Sequence, residues 1–315
     1  MTYEQFAEVW DGNSDSIECT TSGSTGTPKS IFLPKHEMRR SARRTIDFFG
    51  VGRDSLLYSC ISPDYIGGKM QFVRCREAGC RFAYEKPSNT PLAGYSGGRI
   101  DMVSVVPSQM LYIAGLRNLP DVGTYLVGGG PVHDKLRKII AARGIRAYET
   151  YGMTETASHI AIRRISDPEE TFSILPGISI STSGNGCLKI DIEGWQSIVT
   201  NDIVRMDTPE TFTIRGRADN VIISGGLKVH PEEVEAKVRS LTGMECMVSS
   251  ESDEKWGERV VLTLEPDGKT GMEPGEIINK TVKLLRGHVA PHEFPKIIHI
   301  GTLPRTANGK LQRQL

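Results

Sequence analysis

The feature that most constrains the fold is an alternation of strand-like and helix-like patterns between residues 55 and 152. The strand-like runs read "SLLYSCIS", "CRFAYEK", "DMVSVVP", "TYLV" and "IRAYETYG", and the helix-like runs read "GKMQFVRCREAG" and "HDKLRKIIAARG". Gly79 and Gly144 stand where each helix is expected to end. Such alternation predicts an α/β layered sheet with loops at the carboxyl ends of its strands.

The residue pattern changes after about Ser166, where β-branched residues and turn residues occur without helical spacing. This part is predicted to be a small β-rich unit. From Asn220 onward, strand-like runs and the helix-like runs "HPEEVEAKVRSL" and "EPGEIINKTVKLLRGHV" predict a compact α+β domain. We therefore predict a large domain over 1–216, a hinge over 217–219 and a small mobile domain over 220–315.

Charge and composition exclude several classes of function. The 315 residues carry 38 Lys plus Arg and 38 Asp plus Glu, so no basic excess points to a nucleic acid or a membrane surface. The six cysteines form no CxxC pair and are predicted to be reduced, mostly buried thiols. The absence of a signal-like N-terminus and of an 18-residue apolar run predicts a cytoplasmic protein that acts on small molecules.

The segment Thr20 to Ser30, "TTSGSTGTPKS", follows a predicted strand and combines glycines, hydroxyls and one lysine. Backbone N–H groups, hydroxyls and an ammonium group can together surround phosphate oxygens. The spacing differs from a Walker A loop, because Thr27 and Pro28 separate Gly26 from Lys29. A flexible surface turn is the alternative.

Four further motifs could contribute to a nucleotide site. "YETYGMTETASHI" places Glu149 and Glu155 near Thr154, which suits Mg²⁺ bridged to phosphates; the alternative is a helix N-cap at Thr154 or Thr156. "TND" and "RGRAD" offer a carboxylate and a guanidinium to sugar hydroxyls or phosphate, or form a surface salt bridge. Lys310 follows an Asn-Gly turn near the end of the chain.

Taken together, the motifs resemble one enzyme superfamily. "TSGSTGTPK", "YGMTET", "TND", "GRADNVIISGGLKVHPEEVE" and "PRTANGK" occur in the order found in adenylate-forming enzymes, which include acyl-CoA synthetases, peptide-synthetase adenylation domains and luciferases. "YGMTETASHIAIRR" and "ISPDYIGGK" are most similar to a shortened o-succinylbenzoate:CoA ligase of menaquinone biosynthesis. The resemblance implies a nucleotide- and acyl-binding domain over 1–216 and a C-terminal lid domain over 220–315.

The resemblance implies an ATP-dependent acid:CoA ligase that uses Mg²⁺. The acid, with o-succinylbenzoate the best match, attacks the α-phosphate of ATP to form an acyl-AMP and pyrophosphate, and coenzyme A then displaces AMP. Cations and hydrogen-bond donors around the phosphate offset the repulsion between the two anions. Two alternatives stay open. The first is a ligase of the same chemistry that activates another acid or transfers the acyl group to a carrier-protein thiol. The second is a noncatalytic relative that binds a nucleotide or an acyl group.

The resemblance also assigns roles to individual residues. Catalysis is assigned to Lys310, which bridges the acid and the α-phosphate, to Thr154 at the α-phosphate and to Glu155 as the Mg²⁺ ligand. The nucleotide and coenzyme A are assigned to Thr21, Ser22, Gly23, Ser24, Thr25, Gly26, Lys29, Gly128, Gly129, Gly130, Tyr151, Gly152, Asp202, Arg217 and Gly226. The acid is assigned to Tyr65, Gly67, Gly68, Lys69, Ser158 and His159, and the hinge to Asp219.

Some of these roles have structural alternatives. The strip Gly128 to Gly130 is also compatible with a plain strand-to-helix turn. Lys69 could be a solvated residue at the start of a helix, and His159 could have a purely structural role. Tyr65 stands where relatives carry an acyl-pocket histidine. About 19 residues precede the phosphate loop, so we expect a shortened N-terminal subdomain and, as a hypothesis, a homodimer that covers exposed sheet surface.

Overall fold

The computed structural model describes residues 1–21, 29–266, 271–305 and 311–313. The chain packs as two compact units. The first comprises Met1–Ser179, Asp191–Ser197 and Thr208–Thr211, and the second comprises Ile180–Ile190, Ile198–Asp207 and Phe212–Leu315. The division of the chain at 217–219 into two domains and a hinge stays a prediction.

The first unit contains the predicted alternation of strands and helices. Its helices are α1 Tyr3–Asp11, α2 Lys35–Phe49, α3 Ile66–Ala78, α4 Pro107–Gly115 and α5 Asp134–Ala142. Its strands are β1 Ser16–Thr21, β2 Lys29–Pro34, β3 Leu56–Ser59, β4 Arg81–Tyr84, β5 Ile100–Val105, β6 Val122–Val127, β7 Ala147–Met153, β8 Ser158–Arg164 and β9 Phe172–Ile174. Helix α3 ends at Gly79 as predicted, with φ of 63° in the left-handed region that glycine favours.

A layered sheet forms the centre of this unit. Its strand order is β9-β8-β7-β6-β5-β3-β4, in which β4, β3, β5, β6 and β7 run parallel and β8 is antiparallel to β7. One buried cluster joins Phe6, Met38 and Met70 from α1, α2 and α3, and another joins Ile113 and Ile140 from α4 and α5 to the sheet. The predicted α/β class is confirmed, and the carboxyl ends of the parallel strands lie along one edge.

Strands β7 and β8 approach each other unusually closely at a β-bulge between Tyr151 and Gly152. A Cβ atom on Gly152 would lie 2.3 Å from the carbonyl oxygen of Ser158. The turn that joins the strands ends with Ala157 at φ 52° and Ser158 at φ 95°, which are unusual values for residues other than glycine. The hairpin therefore depends on a glycine at position 152 and on contacts that hold the turn.

The remaining strands and helices confirm the predicted β-rich and α+β regions. Four strands follow one another in the sheet: β10 Ile178–Thr182, β11 Cys187–Ile192, β12 Ser197–Thr208 and β13 Thr211–Arg217. The C-terminal elements are β14 Ile222–Ser224, β15 Leu227–Val229, α6 Pro231–Thr242, β16 Glu245–Asp253, β17 Gly257–Glu265, α7 Pro274–Leu285 and β18 Ile297–Ile300. Strand β17 pairs antiparallel with β16 and parallel with β18.

A buried ion pair ties the end of the chain to α6. Glu235 is 2% exposed, and its carboxylate accepts hydrogen bonds from Arg313 Nη1 at 2.6 Å, from Arg313 Nη2 at 2.7 Å and from the backbone N–H of Val248 at 2.7 Å. In the sequence, Arg313 lies three residues after Lys310, the predicted adenylation lysine.

Two general expectations can be compared with the structure. All six cysteines are free thiols. Five are buried and Cys80 is partly exposed, which confirms the prediction of mostly buried thiols. In the part of the chain that is described, no helix combines the length and the apolar character needed to cross a bilayer.

We predict that Glu235→Gln destabilises the C-terminal α+β region by about 3 kcal/mol, because it leaves the largely buried Arg313 guanidinium with only the more distant Glu232 carboxylate, at 3.7 Å, as counter-charge. The matched control is Glu251→Gln, which breaks the exposed pair with Arg259 and should cost about 0–1 kcal/mol. Urea unfolding followed by circular dichroism measures both. Equal costs for the two variants would contradict the structural role of Glu235.

We predict that Gly152→Ala destabilises the first unit by about 1–3 kcal/mol, because the new methyl group forces β7 and β8 apart. In the control Gly130→Ala, the nearest atom to the new Cβ is Pro107 Cγ at 3.8 Å, an ordinary contact. The control should therefore stay within about 0.5 kcal/mol of the parent protein in the same thermal unfolding experiment. A Gly152→Ala protein as stable as the parent would show that the close approach is not needed.

Candidate active site

The predicted phosphate loop connects two paired strands. Thr21 at the end of β1 pairs with Lys29 at the start of β2, in an antiparallel register, so the two ends of the loop are adjacent. Lys29 is exposed. The loop residues Ser22, Gly23, Ser24, Thr25 and Gly26 lie outside the described residues, as does Lys310.

The turn after β7 is fixed from inside by Thr156. Its hydroxyl is fully buried, donates to the carbonyl of Ser158 at 2.6 Å and accepts from the backbone N–H of Met153 at 3.0 Å. Ser41 from α2 donates to the carbonyl of Ala157 at 2.7 Å. The segment is therefore a turn between antiparallel strands, and the helix N-cap considered from sequence is not what forms.

Thr154 and Glu155 lie within this turn, where Thr154 is buried and Glu155 is partly exposed. Among the described residues, the Glu155 carboxylate and the Thr154 hydroxyl have no hydrogen-bond or ion-pair partner, whereas the Glu155 carbonyl accepts from Gln196 Nε2 at 2.6 Å. The backbone is thus held while both side-chain groups remain available. They sit at the carboxyl end of the parallel strands, where ligands usually bind in α/β sheets.

These groups fit what Mg²⁺ requires beside a nucleotide. Mg²⁺ is commonly held by one or two carboxylates and by phosphate oxygens of the substrate, with water completing the octahedron. Glu155 supplies one unengaged hard oxygen ligand. No cluster of three or more potential metal ligands was found among the described residues.

Glu149, the other carboxylate of the motif, is fully engaged within the fold. It is 5% exposed and accepts from Arg163 Nη2 at 2.7 Å, from Arg137 Nη2 at 3.4 Å and from the backbone N–H of Val132 at 3.1 Å. This ion cluster anchors the segment after the glycine strip to β7. The two acidic residues of the motif thus occupy opposite environments.

The glycine strip follows β6 and precedes α5. A Cβ on Gly128 would lie 2.6 Å from Thr150 Oγ1, so the chain packs closely against β7 there. Gly129 has φ of 84° in the left-handed region. Tyr151 is half-buried on β7, with its ring 5.9 Å from that of Phe172. The strip does form a strand-to-helix connection, and a ligand-facing role remains a proposal.

The residues predicted to bind the acid begin at the start of α3. Tyr65 precedes the helix and is 45% exposed, and Gly67 and Gly68 lie in its first turn. Lys69 is buried rather than solvated: its ammonium donates to the carbonyl of Pro63 at 2.6 Å and lies 5.5 Å from the ring centroid of Phe6. Burial lowers the pKa of Lys69. The solvated alternative for Lys69 is therefore not observed.

Ser158 and His159 contact a residue that sequence reasoning missed. Arg74 Nη2 lies 3.1 Å from Ser158 Oγ and 3.3 Å from His159 Nδ1. His159 Nε2 lies 3.0 Å from Thr45 Oγ1, so both ring nitrogens are engaged, which favours the structural alternative for this imidazole. Arg74 lies in the α3 pattern that predicted a helix, but the pattern gave no sign that its guanidinium would be buried.

The second unit brings three predicted residues together. Arg217 Nη1 lies 3.0 Å from Asp202 Oδ1, and Arg217 Nη2 lies 3.0 Å from Asp219 Oδ2. Asn201 also donates to Asp219, at 3.1 Å. Gly226 has φ of 78° in the turn between β14 and β15. The partly exposed guanidinium of Arg217 therefore holds the carboxylates of Asp202 and Asp219. This is the salt bridge that the sequence offered as the alternative to ligand binding.

Comparison with known proteins gives two matching family models. A model of AMP-binding enzymes matches residues 11–191, and a model of the AMP-binding enzyme C-terminal domain matches residues 233–310. A 2–succinylbenzoate–CoA ligase from Listeria monocytogenes is 27% identical over 343 residues, covering 98% of this chain and 71% of the relative. The chain thus spans about seven tenths of that relative's length.

Two solved structures are also similar. An acyl-CoA synthetase (AMP-forming)/AMP-acid ligase II-like protein from Dyadobacter fermentans is 30% identical, with a TM-score of 0.63 over 98% of this chain and 90% of that one. The O-succinylbenzoate coenzyme A synthetase of Bacillus subtilis, solved with ATP and magnesium, is 20% identical, with a TM-score of 0.80 over 94% and 68% of the respective chains. The predicted superfamily is confirmed, and the chain belongs to the AMP-binding enzyme family.

Proposed function

We propose that this protein is an ATP-dependent, AMP-forming acid:CoA ligase with 2-succinylbenzoate as its acid. The observation that carries the proposal is the turn after β7, at the carboxyl edge of a parallel sheet in a member of the AMP-binding enzyme family. It holds a carboxylate and a hydroxyl that no described residue engages. Nucleotide chemistry at this edge needs a ligand for Mg²⁺ and a donor for phosphate.

The first unit supplies groups for the phosphates. A carboxylate oxygen of the acid attacks the α-phosphorus of ATP, and pyrophosphate leaves. The Thr154 hydroxyl would donate to the α-phosphate, and Glu155 would hold Mg²⁺, which would supply positive charge to offset that of the phosphates. Lys29 and the loop at 22–26 bind the departing pyrophosphate, while Tyr151 and the glycine strip bind adenine. These residue roles are proposals drawn from the family resemblance.

The second unit supplies groups for the ribose and for coenzyme A. Asp202 accepts hydrogen bonds from the ribose hydroxyls, and Arg217 fixes the orientation of Asp202, a role compatible with their 3.0 Å ion pair. The turn at Gly226 approaches the pantetheine arm of coenzyme A. Rotation of the C-terminal lid domain about Asp219 switches the protein from adenylate formation to thioester formation. In the second half-reaction the thiol sulfur attacks the acyl carbon, the thiol proton is lost, and AMP leaves.

The acid is proposed on the basis of the relatives. The Listeria monocytogenes ligase that matches 98% of this chain is named for 2-succinylbenzoate, which carries two carboxylates and a ketone. Transfer of another acid, or transfer to a carrier-protein thiol, uses the same first step and is the second candidate. A cytoplasmic location and a homodimer stay predictions; sedimentation equilibrium that finds only monomer would contradict the dimer.

We predict that Glu155→Gln lowers kcat/KM by about 100-fold and raises the Mg²⁺ concentration needed for half-maximal activity. Its melting temperature should not change, because no described residue is bound to the carboxylate that is lost.

The matched variant is Glu149→Gln, which disrupts the buried cluster with Arg163 and Arg137 and should cost about 3 kcal/mol of stability. Thermal unfolding and Mg²⁺ titration of activity are measured on both proteins. Unchanged Mg²⁺ dependence in Glu155→Gln would contradict the assignment of the metal ligand.

We predict that, in a panel of acids with ATP, Mg²⁺ and CoA, 2-succinylbenzoate gives pyrophosphate, AMP and the CoA thioester with the highest kcat/KM. Pyrophosphate without a CoA ester would favour a carrier-protein acceptor. Absence of pyrophosphate with every acid would favour a noncatalytic binding protein.

We further predict that Lys310→Ala blocks adenylate formation and spares thioester formation from supplied acyl-adenylate. The reason is that the lysine is assigned only to the first half-reaction. Equal loss of both half-reactions would contradict that division of labour.

A further inference from the structure

Two cysteines are brought together at the end of α3. The backbone N–H of Gly79 donates to the carbonyl of Arg76 at 3.4 Å, and the N–H of Cys80 donates to the carbonyl of Cys75 at 3.2 Å. Two such hydrogen bonds around a left-handed glycine form a Schellman motif, which places the residue after the glycine against a residue of the last helical turn. That contact is commonly between apolar side chains, and here it is between two thiols.

The two thiols differ in exposure and in proton affinity. Cys75 is 5% exposed, and its thiol donates to the carbonyl of Cys80 at 2.9 Å. Cys80 is partly exposed. Hydrogen bonding with the Cys75 thiol lowers the pKa of Cys80, and the same contact together with burial raises the pKa of Cys75. Cys80 is therefore the sulfur that more readily becomes a thiolate, and Cys75 is its neighbouring thiol.

The remaining cysteines lack this combination. Cys19, Cys60, Cys187 and Cys246 are buried. Burial raises the pKa of Cys19 to about 11 and that of Cys246 to about 12, so both thiols stay protonated at neutral pH. A partly exposed thiol with a lowered pKa is the kind that reacts with peroxides. Cys80 is thus the sulfur that an oxidant should modify first.

An open cavity gives small molecules access to the pair. Cys75 and Cys80 line a cavity of about 380 Å³ together with Phe72, Arg76 and Phe82. Hydrogen peroxide or a small alkyl hydroperoxide fits in such a space. Because Cys80 directly precedes β4, the pair lies toward the amino ends of the parallel strands, away from the turn after β7.

We propose that Cys75 and Cys80 form a peroxide-reactive dithiol site that closes to an intramolecular disulfide. In the first step the Cys80 thiolate attacks the terminal oxygen of a hydroperoxide. An S–O bond forms as the O–O bond breaks, and the alkoxide or hydroxide that leaves takes a proton from water. The Cys80 sulfur is oxidised by two electrons to a sulfenic acid, and the peroxide is reduced.

In the second step the Cys75 sulfur attacks the Cys80 sulfur. The S–S bond forms as the S–O bond breaks, and the Cys75 proton leaves with the hydroxyl group as water. A thiol reductant reverses the modification by reducing the disulfide to the two thiols.

The surroundings of Cys80 favour the disulfide over further oxidation. Cys80 packs against an apolar cluster that contains Leu57, Cys75 and Met102. A sulfinic acid is an anion at neutral pH, and placing a charge against apolar side chains is unfavourable. The disulfide is uncharged and reducible, whereas thiols do not reduce a sulfinic acid. Cys75 would therefore keep the oxidation of this site reversible.

The test is peroxide oxidation of the full-length protein followed by peptide mass spectrometry. Trypsin cleaves after Arg74, Arg76 and Arg81, so a disulfide would join the peptides 75–76 and 77–81. The protein is treated with an equimolar amount of hydrogen peroxide, and free thiols are then alkylated under denaturing conditions. We expect the joined peptides in the parent protein and their loss when dithiothreitol is added before alkylation.

Two variants separate the roles of the sulfurs. Cys80→Ser should give no joined peptides and leave Cys75 reduced. Cys75→Ser should form a sulfenic acid at Cys80 that dimedone traps and, in excess peroxide, a sulfinic acid that dithiothreitol does not remove. Cys246→Ala is the matched control, because it removes a buried cysteine and should leave the joined peptides unchanged. If Cys75→Ser does not fold, the parent protein and Cys80→Ser decide.

Sulfinic acid at Cys80 beside a free Cys75 thiol in the parent protein would overturn the inference. Oxidation of another cysteine before this pair, or a disulfide between two chains on a nonreducing gel, would overturn it as well. Every readout is the chemical state of a sulfur atom, so the result does not depend on the proposed ligase function.

Discussion

The hydroxyl of Thr156 fixes the turn on which the proposed chemistry depends. Its hydrogen bonds to Met153 and Ser158, together with that from Ser41 to Ala157, hold two consecutive residues at positive φ that would otherwise relax. None of these bonds uses the side chain of Thr154 or Glu155. The functional groups are thus displayed by a turn whose own polar groups are satisfied within the fold.

Identical residue types have different uses in this protein because their surroundings differ. Glu149 and Glu155 belong to one motif, yet Glu149 is buried between two arginines and Glu155 is unengaged among the described residues. Arg163 has a carboxylate partner, whereas the partners of Arg74 among the described residues are neutral acceptors. A charge that is matched within the fold stabilises structure, and a fixed charge that is not matched favours binding of an opposite charge.

The sequence predicted the architecture better than it predicted the site. Alternating patterns gave β3, α3, β4, β5, β6, α5 and β7 in order, because parallel strands and their helices have regular apolar periodicity. Helix α2 was not predicted, since its buried face mixes Met38 and Ala42 with the polar Ser41 and Thr45. Arg74 was missed because its acceptor Ser158 lies 84 residues away in the sequence. Local residue spacing does not predict contacts between such distant positions. The sequence motif made Glu149 and Glu155 equal candidates for the metal ligand, and only the tertiary structure shows that Glu149 is buried in an ion cluster.

In the proposed reaction, the acid becomes bonded to the α-phosphorus of ATP before it is transferred to a thiol. The most direct measurement is the fate of ¹⁸O from an acid labelled in its carboxylate oxygens, followed by mass spectrometry of the products. We expect one labelled oxygen in each AMP released with the thioester and none in pyrophosphate. Unlabelled AMP, or ADP and labelled inorganic phosphate, would contradict it.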